Sequence, residues 1–520
     1  MIRRFLSKRF FRILLWLFIT LVTLVVLLFV WTNWSGRRRW AEAKARLERE
    51  GETLDYRKLL PETPPEVQNL LAIEPLRDLA TVIDPDDSKG GPGAKRKALE
   101  AMKWSGSGPA ANGLSLGKST EFQEWVKFLR DIKYLGLPAE PAAAGRDVLG
   151  ALDVKFPLLK QLADDTASRS QAMLTPGLRE RNMPDLLFAL RVPHYPAMQN
   201  MARALSLRAR AALAAGAGAE AARSLVAIHR LAQACEQEPL LIGFLVGNSL
   251  DALALETLWA GLQERAFAEE DLRRLQAVFT PDLPREALLR ALRGELASGL
   301  NAVEFLQQAA SGQKEVDPAL ISAFTNHGNS RNIFLWRAIP SGLFDHWKSV
   351  IADLELEHLI QPLKTGGLRE SVRKGDALVE DLAKNFDVFR HPDHIMARLI
   401  LPSVTMVSGH ALLQDVRRQQ ALAALALERY FVKHARYPAT LTELTPEFLP
   451  AILLDPCDGK PLRYRTTPAG RYQLWSVGFD GKDDDGKVTV DAKGAAKLSK
   501  REYLGDWTWK YEPVETGSKK

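Results

Sequence analysis

Residues Ile13 to Thr32 read ILLWLFITLVTLVVLLFVWT, twenty positions without a charge. At about 1.5 Å of rise per residue, a helix of that length spans about 30 Å, the hydrocarbon thickness of a bilayer. Trp16, Trp31 and Trp34 fall toward its ends, where indoles favour the membrane interface. A cleaved signal peptide has a shorter apolar core with a small-residue cleavage site close behind it. Here Arg37, Arg38 and Arg39 follow, and the small pair Ala41 and Ala43 lies beyond those charges. The stretch therefore reads as a single-pass transmembrane anchor of the uncleaved signal-anchor kind. Five basic side chains flank each end, so the positive-inside rule gives no preference. A twelve-residue tail before a large C-terminal body fits a protein of the inner (cytoplasmic) membrane with its body on the extracytoplasmic, periplasmic side.

The same segment accounts for the charge. The formal net charge is +7, yet residues 1–46 alone carry ten basic side chains against Glu42, which is +9. Residues 47–520 are left at −2 (+7 less +9). The basic excess thus brackets the apolar span, where it meets anionic headgroups. Nucleic acid is not an expected partner, because that needs a basic surface on the folded part. The membrane bilayer is, together with protein partners. Only two cysteines occur, Cys235 and Cys457; they read as two isolated buried thiols or, alternatively, one bridge.

At 520 residues with 46% hydrophobic and 26% charged side chains, the chain is globular and too long for one core. The expected class is mainly α: the N-terminal transmembrane helix, an irregular helical body of antiparallel hairpins, and a small C-terminal α+β unit. The divisions fall at 1–36 (tail and anchor), 37–118 (juxtamembrane helix and Gly/Pro-rich linker), 119–401 (helical domain) and 402–520 (long helix plus α+β domain). Apolar residues recur at three- and four-residue spacing from about Ser119 to Leu401. The runs Ala197–Ala215 and Ala219–Cys235 are joined at Gly216-Ala217-Gly218, a turn so short that the two helices must pack antiparallel. Leu240–Leu262 and Pro284–Leu306 add further helices. Ser403–His434 reads as a long amphipathic helix that Tyr437-Pro438 ends, and Thr440 to Glu443 supplies a capping box. Leu462–Thr466 and Tyr472–Val477 are β-rich, with Pro468 to Gly470 turning between them.

The run ERYFVKHARYPATLTELTPEFLPAILLDPCDGKPLRYR, followed by YQLWSVGFDGKDDDG, resembles the C-terminal globular region of type II secretion major pseudopilins. The matching positions are Tyr437-Pro438, Asp455-Pro456, Tyr464, and Ser476, Gly478, Asp480 and Gly481. They cover about a fifth of the chain. Pseudopilins carry a peptidase site directly before their apolar helix, with a glutamate shortly after the cleavage point; this span contains no such glutamate, and almost 400 residues separate it from the matching run. The chain is therefore not simply a pilus subunit. The whole also resembles large membrane-anchored bacterial proteins in which a similar juxtamembrane stretch (Trp40, Gly51-Glu52, Pro61, Asn69) precedes a helical body and this same unit.

The first candidate chemistry is metal binding by the acidic loop Asp480, Asp483, Asp484 and Asp485, set among Gly481 and Gly486. Carboxylates on a glycine-rich turn offer the hard oxygens Ca²⁺ prefers, and the pseudopilin resemblance implies calcium in the equivalent loop. The loop is not an EF-hand, lacking the glutamate at its twelfth position. Gly113, Gly117, Lys118 and Ser119 nearly spell a phosphate-binding loop but leave three residues between the glycines where four are needed. His391-Pro392-Asp393-His394 reads as a helix start, since a proline between histidines makes a poor helical ligand face. Gly247-Asn248-Ser249-Leu250-Asp251 fails as a nucleophile elbow at its last position. His229 and Cys235 share a helix, but a Cys/His pair needs a pocket and an orienting group. No catalytic residue is assigned. The leading expectation is a non-catalytic envelope protein acting as an interaction or assembly module; the alternatives are an anchored hydrolase with a site in the helical body and a secretion-system component.

Overall fold

The computed structural model describes residues 8–73, 76–77, 122–138, 144–174, 192, 194–279, 283–312, 338–384, 387, 390–487 and 505–509, except positions 132, 134, 167 and 469. The Gly/Pro-rich linker expected at 84–117 and the Gly113–Ser119 run lie outside these. The chain is mainly helical, with a long apolar N-terminal helix and a small antiparallel sheet near the C-terminus.

Helix α1 runs unbroken from Lys8 to Arg49, so the span and the charged stretch behind Thr32 are one rod. The expected division at 36/37 falls inside it. From Phe11 to Trp34 its large apolar side chains, apart from a half-buried Phe29, are exposed, as suits a helix whose solvent is lipid. Beyond Thr32 it enters the protein, and Gly36, Ala43 and Leu47 are buried.

The body is built from α2 (Phe122–Asp131), α3 (Ala144–Lys155), α4 (Pro157–Asp165), α5 (His194–Ala214), α6 (Gly218–Glu236), α7 (Leu241–Gln263), α8 (Glu269–Val278), α9 (Leu283–Ser311), α10 (Ser341–Glu355), α11 (Gln361–Lys384) and α12 (Ile395–His434). The helices read from the sequence are present with ends shifted by up to a few residues, as fraying ends permit. The α5–α6 turn closes through Gly216, at φ 73°, a left-handed conformation that glycine adopts without a Cβ penalty. A π turn at Leu356–Ile360 carries α10 into α11, which itself breaks at Gly367 (φ 76°).

Helix α12 differs from expectation. It starts at Ile395, not Ser403, and carries Pro402 inside, so the 401/402 division also falls within a helix. Packing against α10 and α11 holds this segment helical despite the lost backbone donor. Buried side chains surround α12, and it belongs to two apolar cores. Met396 to Val416 joins a core with α9, α10 and α11, while Ala421 to Tyr430 joins one with α5, α6, α7 and α8. A minor third cluster lies between α2, α3 and α5.

After α12, Ala435 turns left-handed (φ 54°) and ends the helix. The capping box at Thr440 and Glu443 forms as expected, opening a 3₁₀ turn, Leu441–Leu444. Strands β1 (Arg463–Thr466) and β2 (Tyr472–Ser476) form the hairpin, with Tyr464 opposite Leu474. A third strand, β3 (Trp507–Trp509), pairs with β2 in the order β1-β2-β3. Trp507 faces one main core and Trp509 the other, so the sheet closes over their junction.

Candidate functional site

Between its two apolar halves α12 presents Gln414, Arg417, Arg418 and Gln420, all of them buried. Their partners come from helices far away in sequence. Asp251 on α7 accepts from Arg418 Nε at 2.6 Å and from Gln414 Nε2 at 2.7 Å. Its other oxygen pairs with His229 Nδ1 of α6 at 2.6 Å. Arg418 Nη2 also donates to Glu236 Oε1 at 3.3 Å, and Gln420 donates to the Trp507 carbonyl at 2.6 Å. His229, Asp251 and Arg418 are each 0% exposed. Burial alone would raise the Asp251 carboxyl, but the Arg418 and His229 charges outweigh it and hold it well below the usual range. Glu236 goes the other way: burial, helped by Asp251, pushes it up to about 7 despite Arg418. Burial also lowers His229 and draws Arg417 down to about 10.

A second buried group lies beside it. Tyr195 Oη donates to Glu238 Oε2 at 2.5 Å, and His194 Nε2 lies 3.1 Å from the same oxygen. Both clusters depend on glycines of α7. A Cβ on Gly243 would come within 2.6 Å of Tyr195 Oη, and one on Gly247 within 2.5 Å of the Glu236 side chain. Gly247, read as a failed elbow position, thus makes room for a carboxylate. Cys235 stands next to these acids, its thiol pushed far up by burial. Both cysteines are unpaired and buried.

Chemically, a histidine oriented by a carboxylate is half of a general-base arrangement. His229 Nε2 has no partner and its ring lies against Phe279, with centroids 4.8 Å apart. A substrate would have to displace packed core to reach it. The network lies as a charged layer at the seam of the two cores. His229 was singled out in the sequence with the wrong companion. The true ones, Asp251 and Arg418, lie 22 and 189 positions away on other helices, with no local signal.

The carboxylates of the acidic loop, Asp480, Asp483 and Asp485 among them, accept hydrogen bonds from separate partners. Asp483 accepts from Trp475 Nε1 at 2.9 Å and from Arg463 at 3.4 Å; Asp485 accepts from Arg465 at 2.8 Å; Asp480 accepts from the Lys482 amide at 3.0 Å. Arg463 and Arg465 thereby supply positive charge inside the loop. What the sequence missed is Asp506, just before β3. It is 1% exposed, its Oδ2 accepts from the amides of Asp484 (3.0 Å) and Gly486 (2.7 Å), and its Oδ1 has no partner among the described residues. Burial, with Asp483 and Asp484 nearby, pushes its carboxyl up to about 6 against those two amide bonds. The matching positions Asp455 and Ser476 meet: Ser476 Oγ donates to Asp455 at 2.7 Å, and the Val477 amide at 3.0 Å. That joins the Asp-Pro turn to the end of β2.

The His391–His394 segment is a helix start, as read from the sequence: a 3₁₀ turn over Pro392–His394 leads directly into α12 at Ile395. The turn brings His391 and His394, three positions apart, to one side. Their ring centroids are 5.4 Å apart. Among the described residues, His391, Asp393 and His394 are the group of His, Cys, Asp or Glu whose ligand atoms all fall within 4.8 Å of one another. Comparison with protein-family models, with curated proteins and with solved structures finds no match to this chain.

Proposed function

We propose that the chain is a single-pass, non-catalytic envelope protein whose helical body is a rigid interaction scaffold, anchored in the inner membrane with the body on the extracytoplasmic side. The observation that carries this reading is the join between span and body. Helix α1 leaves the apolar stretch without a break and is clamped at once by α10. Gly36 and Gly342 bring the two backbones together, so that a Cβ on Gly36 would lie 2.1 Å from the Gly342 carbonyl. Asn33 Oδ1 accepts from the Gly342 amide at 2.7 Å, capping α10 from the neighbouring helix. Farther along, Lys348 stands over Trp40 and Arg46 pairs with Asp353 at 3.3 Å, so α10 runs parallel to α1. A body fixed to its anchor in this way keeps one height and orientation above the bilayer, as a scaffold requires.

A hydrolase in the helical body is less well supported, because its best polar convergence is sealed inside the core. For the C-terminal unit, pseudopilin kinship and a secretion-related role are carried by the matching motif positions alone. We also propose Ca²⁺ at the acidic loop in a narrower form, held by Asp484 and the unpartnered oxygen of Asp506, with Asp480, Asp483 and Asp485 engaged elsewhere. The scaffold reading is tested by cross-linking the full chain in its native membrane. A defined protein partner recovered in stoichiometric yield supports it; a chain that yields no partner overturns it. A C-terminal reporter active only in the cytoplasm would reverse the orientation.

A further inference from the structure

The turn between α11 and α12 lies at the membrane-proximal end of the body. Arg39, seven residues beyond the end of the apolar stretch, donates through Nη1 to Asp393 Oδ2 at 3.0 Å. The turn is held from below: Trp347, 3% exposed, donates through its indole to the Pro392 carbonyl at 2.8 Å, and the His394 amide donates to the His391 carbonyl at 3.1 Å. Proline fixes the backbone between the histidines, so the two imidazoles are set side by side before any ligand arrives. His391 is exposed, while Asp393 and His394 are half-buried. That arrangement gives an entry path from water onto a supported site.

The donors are two imidazole nitrogens and a carboxylate oxygen, the set that zinc and similar borderline divalent ions select over Ca²⁺ or Mg²⁺. His346 lies beside Arg39 and Asp393 and hydrogen-bonds Ser35 of α1 at 3.0 Å.

We propose that His391, Asp393 and His394 form a binding site for a zinc-class divalent cation where the body meets its membrane anchor. Three protein ligands leave at least one position for water or another donor. The cation takes the Asp393 oxygen that now faces His394 Nδ1 at 3.0 Å. It also sets a double positive charge beside Arg39, so occupancy weakens the pair that ties α1 to this turn. Metal binding and the anchor contact are therefore coupled with opposite sign.

The test uses the full chain in detergent micelles, purified without a histidine tag, titrated with Zn²⁺ against a chromophoric chelator and with Co²⁺ by visible absorption. One equivalent is expected. His391→Ala and His394→Ala should each weaken it by about tenfold or more, the scale on which ligand-shell changes act, and Arg39→Gln should tighten it. Both histidine variants should keep the metal-free unfolding midpoint of the parent, since neither ring is in the core. Absence of stoichiometric Zn²⁺ binding, or binding that survives His391→Ala combined with His394→Ala, would overturn the proposal.

Discussion

At the scale of single residues the seam network sets the largest energies. Asp251 neutralises Arg418 and orients His229 in a region closed to bulk solvent. Breaking a buried pair from one side leaves the other charge uncompensated, at a cost of about 3–5 kcal/mol. Asp251→Asn should therefore lower stability by that order in chemical denaturation. Replacing Asp251 and Arg418 together by apolar residues should cost less than either single change. Glu236 makes the network pH-sensitive. Its carboxyl lies at about 7 in the folded chain against an ordinary 4.5, so the folded state binds the proton more tightly. Stability is then greatest below the ordinary value and declines as pH rises toward 7, by up to about 3 kcal/mol at 1.36 kcal/mol per unit. Asp251 has the opposite sign: its depressed value contributes stability above pH 3.8 that is lost only in stronger acid. Between pH 4.5 and 7 the Glu236 slope stands apart from it, and thermal unfolding of Glu236→Gln should show that slope flattened. A profile identical to the parent would remove Glu236 as its source.

Elements pack by backbone contact at the anchor and by charge at the acidic loop. The α1–α10 crossing tolerates no side chain: a Cβ on Gly342 would meet the Thr32 carbonyl at 2.1 Å. Gly342→Leu should separate the helices and cost about 1–3 kcal/mol, the usual scale of overpacking, while leaving membrane insertion intact. Unfolding midpoints and membrane fractionation on the same variant check both halves of that statement. In the C-terminal unit, Asp506 is raised from 3.8 to about 6, so its ionisation works against folding as pH rises through that window. Calcium on its unpartnered oxygen would reverse this. Added Ca²⁺ should raise the midpoint of the full chain at neutral pH, and Asp506→Asn should abolish that response while making the metal-free protein more stable. An unchanged midpoint with calcium or chelator ends the calcium proposal.

At the scale of the whole molecule, three helices among the described residues are long and apolar enough to cross a membrane: α1 from Phe11, α7, and α12 with its preceding turn. Only α1 presents a continuous exposed apolar surface. Helix α7 buries Asp251 and most of its other side chains against the body, and α12 is enclosed by two cores, so both are interior helices. A chain lacking residues 1–32 should move to the soluble fraction, while the full chain should stay with membranes after an alkaline wash. Retention of the shortened chain would reveal a second attachment through the body.

The features legible in the sequence are those that a short stretch decides by itself. Twenty uncharged residues match the thickness of lipid, glycines between apolar runs close a helix pair, and Thr440 with Glu443 caps its own turn. Tertiary structure decided whatever depends on partners from elsewhere. Helix α12 starts eight residues early and passes through Pro402 because α10 and α11 pack around it. Strand β3 forms because β2 offers an edge to three residues too few to signal a strand alone. His229, Asp251, Glu236 and Arg418 become one network only when three helices meet. The two histidines of the 391–394 turn share a face because packing on Trp347 selects a 3₁₀ period there, which no count of spacings reveals.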